Sequence, residues 1–250
     1  MSDRKRWTTL ASEHPYWAVL ADTRYRADRI GPDDIRAFYA TGESEVEVTL
    51  GLVRTHIAGD FHPQLSLDYG SGLGRLTIPI ARASRQTIGV DISDPMLRES
   101  RKNAASMGVA NVTFVHAGDF LDAADATYPF DFVHSYIVLQ HIAPRVGMRI
   151  TATLLRRLNR GGVAALHYTF DRRASLLRKI IHRARIALPP LNVLANIAQR
   201  RPAFEPMMPM HHYHVPTLFA TFREHGAETI HVIPTDHGGH IGAMFIFQKR

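Results

Sequence analysis

The stretch Leu67-Asp68-Tyr69-Gly70-Ser71-Gly72-Leu73-Gly74-Arg75 is where the chain declares its architecture. A short apolar run, Leu65 to Asp68, reads as a strand and stops at three alternate glycines. Leu73 to Ala83 reads as a helix. Strand, glycine turn and helix in that order form a ligand-binding turn. Glycine has no Cβ, so it accepts unusual dihedrals and lets a ligand approach the backbone. A helix N-terminus adds N–H groups without intrahelical partners and the positive end of the macrodipole, which suits a phosphate or a carboxylate. The dinucleotide pattern G-x-G-x-x-G is not met, because Gly70 and Gly72 fill its first two positions and Arg75 falls on the third.

Downstream, strands are expected at Gln86–Asp91, Val112–His116, Phe130–Ser135 and Val163–Tyr168. Helices are expected at Pro95–Met107 and Arg145–Leu158, the second closed by Asn159 and the pair Gly161-Gly162. Such alternation implies a parallel sheet covered on both faces. Two more β segments, Thr229–Ile233 and Gly242–Gln248, close the chain around Asp236-His237-Gly238-Gly239-His240, a connection short enough for an antiparallel hairpin. Upstream lie a helix around Trp7, Leu10 and Tyr16 to Leu20, a second at Asp33–Ala40 and a third at Glu43–His56. The expected organisation is a helical cap over residues 1–63 and an α/β domain over 64–250. That domain carries a helical insertion at about 171–215 after the fifth strand.

Composition narrows the function classes. Among 250 residues there is no cysteine, which removes disulfides, cysteine–zinc sites and cysteine nucleophiles. No apolar run reaches membrane-span length, and no secretory pattern follows the charged start, so a cytoplasmic location is the expectation. The formal net charge of +7 is compatible with an anionic partner or with mere solubility. Much of it sits at Arg172, Arg173, Arg178, Lys179, Arg183 and Arg185, on a segment with a helical apolar stripe. Three readings of residues 172–188 stand side by side: a solvated cap helix, a lid for an anionic sugar-like acceptor, and a basic amphipathic helix on a membrane surface facing a lipid-linked sugar acceptor. No motif points to specific nucleic-acid binding.

The segment Leu67 to Arg75 resembles motif I of class I S-adenosylmethionine-dependent methyltransferases, of the small-molecule type. Gly89-Val90-Asp91-Ile92-Ser93, Ala117-Gly118-Asp119-Phe120 and the stretch Phe130 to Ile142 follow in the family's order. The resemblance implies a Rossmann-like three-layer sandwich. Its sheet would be mostly parallel and seven-stranded, with the last strand antiparallel. It implies S-adenosylmethionine as cofactor. Asp68, Gly70, Ser71, Gly72, Gly74 and Arg75 would cradle it, Asp91 would accept from the ribose diol, and Asp119 would meet the adenine amine with Phe120 against the ring. Ile92, Met96, Ser135 and Tyr136 complete the expected cofactor site.

The loop after the fourth strand reads Ser135-Tyr136-Ile137-Val138, unlike the Asn/Asp-Pro-Pro-Tyr of enzymes that methylate base amines. Leu139-Gln140-His141-Ile142 resembles small-molecule enzymes instead. O-methylation of a small or sugar-like hydroxyl compound is therefore expected. His141 is the first candidate base and His167 the second, since imidazole titrates near neutrality. Each has a plainer reading, as a packing or backbone-bonded histidine. His211, His212, His214, His237 and His240 match no metal motif, and no metal is expected. A silent cofactor-binding module, an N-methyltransferase of a small amine and a nicotinamide oxidoreductase are the alternatives. Oligomeric state is not legible.

Overall fold

The computed structural model describes residues 3–26, 30–123, 129–173 and 209–250, with 191, 193 and 195. Its strands are β1 (Leu65–Tyr69), β2 (Gln86–Asp91), β3 (Val112–His116), β4 (Phe130–Ser135), β5 (Leu158–Arg172), β6 (Ala227–His237) and β7 (His240–Lys249). They form one seven-stranded sheet in the order β3-β2-β1-β4-β5-β7-β6. The first five strands pair in parallel, while β7 runs antiparallel to both β5 and β6. The order reverses between β1 and β4, the topological switch point at which open α/β sheets bind ligands.

Side-chain alternation sorts the core into two faces. Phe132, Val163, Ala165, Met244 and Ile246 pack on one side with Val46, Leu50 and Val53. Val133, Ala164, Leu166, Phe245 and Phe247 pack on the other with Leu154, Leu218 and Phe222. Successive strand residues point to opposite faces, so both faces of a covered sheet must be apolar. The first face is covered by α3 (Pro32–His56) and α4 (Thr77–Ala83), and the second by α7 (Pro144–Arg156) and α8 (Val215–Glu224). The remaining helices are α1 (Asp3–Glu13), α2 (Pro15–Val19), α5 (Asp94–Ser106) and α6 (Ala117–Asp122). Fully buried side chains such as Phe222 and Phe247 contribute about 1.5–3 kcal/mol each.

Four local expectations are corrected. The two helices expected at Asp33–Ala40 and Glu43–His56 are one, α3, running through Gly42. Gly42 is there for packing: a Cβ would lie 2.0 Å from the Arg75 carbonyl oxygen, so the missing side chain lets α3 cross the glycine loop. The helix expected from Leu73 begins only at Thr77, because residues 72–76 form turns and a bend. The helix expected to end at Leu158 stops at Arg156, and Asn159 to Gly162 already belong to β5, with Gly161 at φ 79°. The hairpin loop shrinks to Gly238-Gly239, both at positive φ, and His237 and His240 face each other across it. The basic stretch expected to be a helix at 172–188 lies, beyond Arg173, outside the described residues.

Candidate functional site

A cavity of about 390 Å³ opens at the switch point. Its floor is the C-terminal end of β1 and the glycine loop, with Asp68, Gly70, Ser71, Gly72 and Arg75 on the wall. Gly70 and Gly72 adopt φ of 87° and 51°, and a Cβ on Gly70 would meet Val138 Cγ2 at 2.2 Å. The loop after β4 therefore packs directly on the glycine backbone. Gly74, at φ 85°, serves the turn from beneath and does not line the cavity.

The loop's amide groups are largely spoken for. Gly70 and Ser71 N–H donate to Val90 O at 2.7 and 2.9 Å, Gly74 N–H donates to Ser71 O at 2.8 Å, and Gly72 N–H donates to Asp91 Oδ2 at 2.9 Å. The expected helix-end cradle for a phosphate is absent, because α4 starts too late and these donors are paired internally. Such a loop suits a ligand without a pyrophosphate.

Asp91, at the end of β2, also accepts from Ser93 N–H at 2.9 Å. Burial pushes its carboxyl up, opposed by these backbone N–H groups. Each carboxylate oxygen keeps lone-pair capacity beyond one such bond, enough for a diol. His116 closes the neighbouring wall. Its Nε2–H donates to Ile92 O at 3.1 Å and its Nδ1 accepts from Gly118 N–H at 3.1 Å, which joins the ends of β2 and β3. Ile92, Met96, Gly118 and Leu121 complete this end.

Asp68 is buried and committed to protein partners: it accepts from Thr77 Oγ1 at 2.5 Å and from His134 Nδ1–H at 2.9 Å. Arg75 is 6% exposed. Its Nη1 donates to Thr41 Oγ1 at 3.2 Å and its Nε has no partner. Burial lowers its pKa, against the opposing influence of Glu45 first among several groups. Ser71 Oγ is likewise buried and unpartnered on the cavity wall. A buried donor without a partner costs about 1–3 kcal/mol. Ser71 and Arg75 thus fit a polar, zwitterionic ligand end, while Asp91 fits a diol and Met96, Ile92 and Leu121 fit an aromatic ring. These are the parts of S-adenosylmethionine.

The expected residues divide accordingly. Asp68, Gly70, Ser71, Gly72, Arg75, Asp91, Ile92, Met96, Tyr136 and His141 converge on the cavity. Phe120 does not: it is 4% exposed, packs near Phe130 and carries Arg157 over its ring at 4.3 Å, so Leu121 and Gly118 take the place expected for it. Asp119 is exposed in the first turn of α6, outside the cavity lining. Ser135 is fully buried and donates to Tyr69 O at 2.9 Å, tying β4 to β1. His167 is fully buried behind Tyr136, with Nε2 2.8 Å from Thr235 Oγ1, and does not line the cavity. Burial holds it down to about 3.

His141 lines the cavity edge-on to Trp7. Its Nδ1–H donates to Pro209 O at 2.8 Å, and Gln140 Nε2 approaches its Nε2 at 3.3 Å. Burial lowers it to about 4. Pattern reading missed Tyr213, whose hydroxyl lies 2.9 and 3.0 Å from Leu139 O and Ile142 O and pins the His141 turn. It also missed His116, Trp7 and Val19, all on the wall. Gly147 hinted at Tyr213 only in three dimensions, since a Cβ there would sit 1.8 Å from the Tyr213 hydroxyl oxygen. Among the described residues, no group of three or more His, Asp or Glu is placed to hold a metal ion.

The sheet order and the cavity at its switch point are those of the Rossmann-like methyltransferase fold. Residues 67–162 match the family described as methyltransferase domain. In fold the chain is similar to magnesium protoporphyrin IX methyltransferase from Synechocystis with bound SAH, with TM-score 0.65, 16% identity, and 99% and 98% of the two chains covered. It is also similar to the N-methyltransferase NodS from Bradyrhizobium japonicum, with TM-score 0.57, 13% identity and 98% of each chain covered. In sequence it is 32% identical over 116 residues to the 23S rRNA (uracil(1939)-C(5))-methyltransferase of Hahella chejuensis, across 45% of this chain. The chain spans 25% of that relative's length.

Proposed function

We propose that the chain is an O-methyltransferase delivering the methyl group of S-adenosylmethionine to a hydroxyl of a small or sugar-like molecule. The observation that carries this reading is the loop after β4, which brings Tyr136 and His141 to the wall of the cofactor cavity. When bound, the cofactor supplies a methyl group already activated on a sulfonium. The protein then has to align the acceptor, exclude water and accept a proton.

Asp91 holds the ribose diol, Arg75 and Ser71 take the amino-acid end, and Met96 and Ile92 flank the adenine, with Asp119 at its rim. Residues 1–63 act as a cap, in which Trp7, Ala18 and Val19 close the cavity. His141 retains Nε2 for proton transfer. Its low pKa makes it a weak base, and Gln140 competes for the same lone pair. Carbon methylation of uracil, the activity in the ribosomal-RNA relative's name, would lack a cysteine nucleophile within these 250 residues. An anionic or lipid-linked sugar acceptor, with membrane contact through 172–188, is the form of the proposal that depends on the basic insertion. A cytoplasmic location fits the observation that no helix among the described residues is long and apolar enough to cross a membrane.

Calorimetric titration with S-adenosylhomocysteine on wild type and Asp91→Ala tests the cofactor assignment. Affinity is expected to fall about 100-fold, or about 2.7 kcal/mol. A screen of hydroxyl and amine compounds with radiolabelled S-adenosylmethionine tests the acceptor. Cofactor binding with no product from any compound would favour a catalytically silent module, and products formed only on amines would favour N-methylation.

A further inference from the structure

We propose that the cofactor's adenine is read by the shape of a slot that His116 sets, rather than by an acceptor for its 6-amino group. The inference rests on the S-adenosylmethionine reading above. It goes beyond that reading by naming the positioning residue of the adenine end and the base selectivity that follows from it.

Position follows from strand register. Asp91 ends β2 and His116 ends β3, and the parallel pairing of the two strands sets them directly opposite each other. Neighbouring strands run about 4.8 Å apart. In an adenosyl group the base is bonded to the ribose carbon next to the diol. A carboxylate that holds the diol therefore brings the base to the residues beside it, at the end of the neighbouring strand. Asp91 and His116 both line the cavity.

The carboxylates of this wall are already committed. Among the described residues, Asp68 and Asp91 are the two that line the cavity. Asp68 is bonded to Thr77 and His134, and Asp91 is assigned to the diol. Asp119, which the chain order offered for the amine, is exposed and outside the lining. Ser93 caps α5, its Oγ accepting from Met96 N–H. Around the base there remain the apolar side chains of Ile92, Met96, Ala117 and Leu121, together with His116.

His116 has no acceptor to spare. Its Nε2 lies 3.1 Å from Ile92 O, which can only accept, so Nε2 carries the proton. Its Nδ1 lies 3.1 Å from Gly118 N, which can only donate, so Nδ1 gives its lone pair there. The two partners fix the tautomer and leave only ring carbons for a ligand. They also engage the Ile92 carbonyl. Ile92 and Gly118 are themselves on the cavity wall, one just past β2 and the other in α6. One rigid ring thus sets the separation of two wall segments that come from different strands. Gly118 makes room for it, since a Cβ there would lie 3.1 Å from His116 Nδ1 and 3.4 Å from Cε1. Such a slot selects a flat ring of purine size and is indifferent to what the ring carries at its 6-position.

Calorimetry on the full chain tests this with three ligands. They are S-adenosylhomocysteine, its 6-deamino analogue with purine in place of adenine, and S-ribosylhomocysteine, which has no base. Wild type is expected to bind the deamino analogue within about fivefold of S-adenosylhomocysteine, because an acceptor for the amine would be left unpaired and cost more. A larger loss overturns the shape reading. His116→Ala is expected to weaken S-adenosylhomocysteine about tenfold or more and to leave S-ribosylhomocysteine within about twofold. An equal loss for both ligands marks a merely structural residue and overturns the positioning role, as does an unchanged S-adenosylhomocysteine affinity. His116→Asn keeps the test sound where the alanine variant does not fold. Its Oδ1 still accepts from Gly118 N–H, and only the bond to Ile92 O is given up. The same split between the two ligands is expected there at about threefold, and its absence overturns the role. Folded wild type that binds no S-adenosylhomocysteine overturns the cofactor reading and this inference together.

Discussion

The two sides of the switch point are built by different rules. On the β1–β2–β3 side, contacts are local. The glycine loop, Asp91 and the His116–Gly118 bend each follow directly from the end of a strand, and they bond to one another through short hydrogen bonds. On the β4–β5–β6 side, the wall is assembled from afar. Tyr136 meets His167 of β5 and His237 of β6, while Tyr213 comes from far along the chain to clamp the His141 turn. Under the proposed function the first side holds the cofactor and the second faces the acceptor, and the two meet where Gly70 packs on Val138.

The sharpest way to break this division is at its seam, where Gly70 touches Val138. Gly70→Ala puts a Cβ into Val138 at a positive φ. It is expected to cut S-adenosylhomocysteine affinity about 100-fold and stability by about 1–3 kcal/mol, read by calorimetry and thermal unfolding. Wild-type affinity in that variant would mean that the two sides are not mechanically joined there.

Acid should strain the second side selectively. His141 and His167 are held down to about 4 and about 3, against an ordinary value of 6.5. Between those values and 6.5 the unfolded chain binds more protons, so the stability they contribute is present above pH 6.5 and lost as pH falls toward 4 and then 3. The expected slope is about 1.4 kcal/mol per pH unit for each histidine. Unfolding midpoints between pH 7 and 5 should fall less steeply in His167→Gln than in wild type. An identical slope would remove His167 from the buried, neutral set.

The smallest expected effect sharpens the comparison from the legible side. Phe120→Leu should cost about 1 kcal/mol of stability through lost packing and leave S-adenosylhomocysteine affinity within about twofold. A large loss of affinity would restore Phe120 as an adenine contact.

Legibility followed the same line. β2, β3 and β4 were readable to the residue, because each is a short run rich in β-branched or aromatic residues lying between helical patterns. The two ends of α3 were readable as helix, but Gly42 looked like a break, since a glycine placed for close packing and one placed for a turn are identical in one dimension. Phe120 was assigned to the ligand because a motif specifies order along the chain and not the direction of a side chain. Arg157 and Phe130, which hold it in the core, are distant in sequence.

The amino-acid order alone determined the strand sequence, the glycine loop and the carboxylate at Asp91, because these depend on neighbours within a turn or two. Only the tertiary structure decided that the loop's N–H groups are spent internally, that His167 stands behind Tyr136, and that Tyr213 pins the His141 turn. Those outcomes depend on strand register and on how closely two backbones can approach, quantities that exist only once the sheet and its helices have packed.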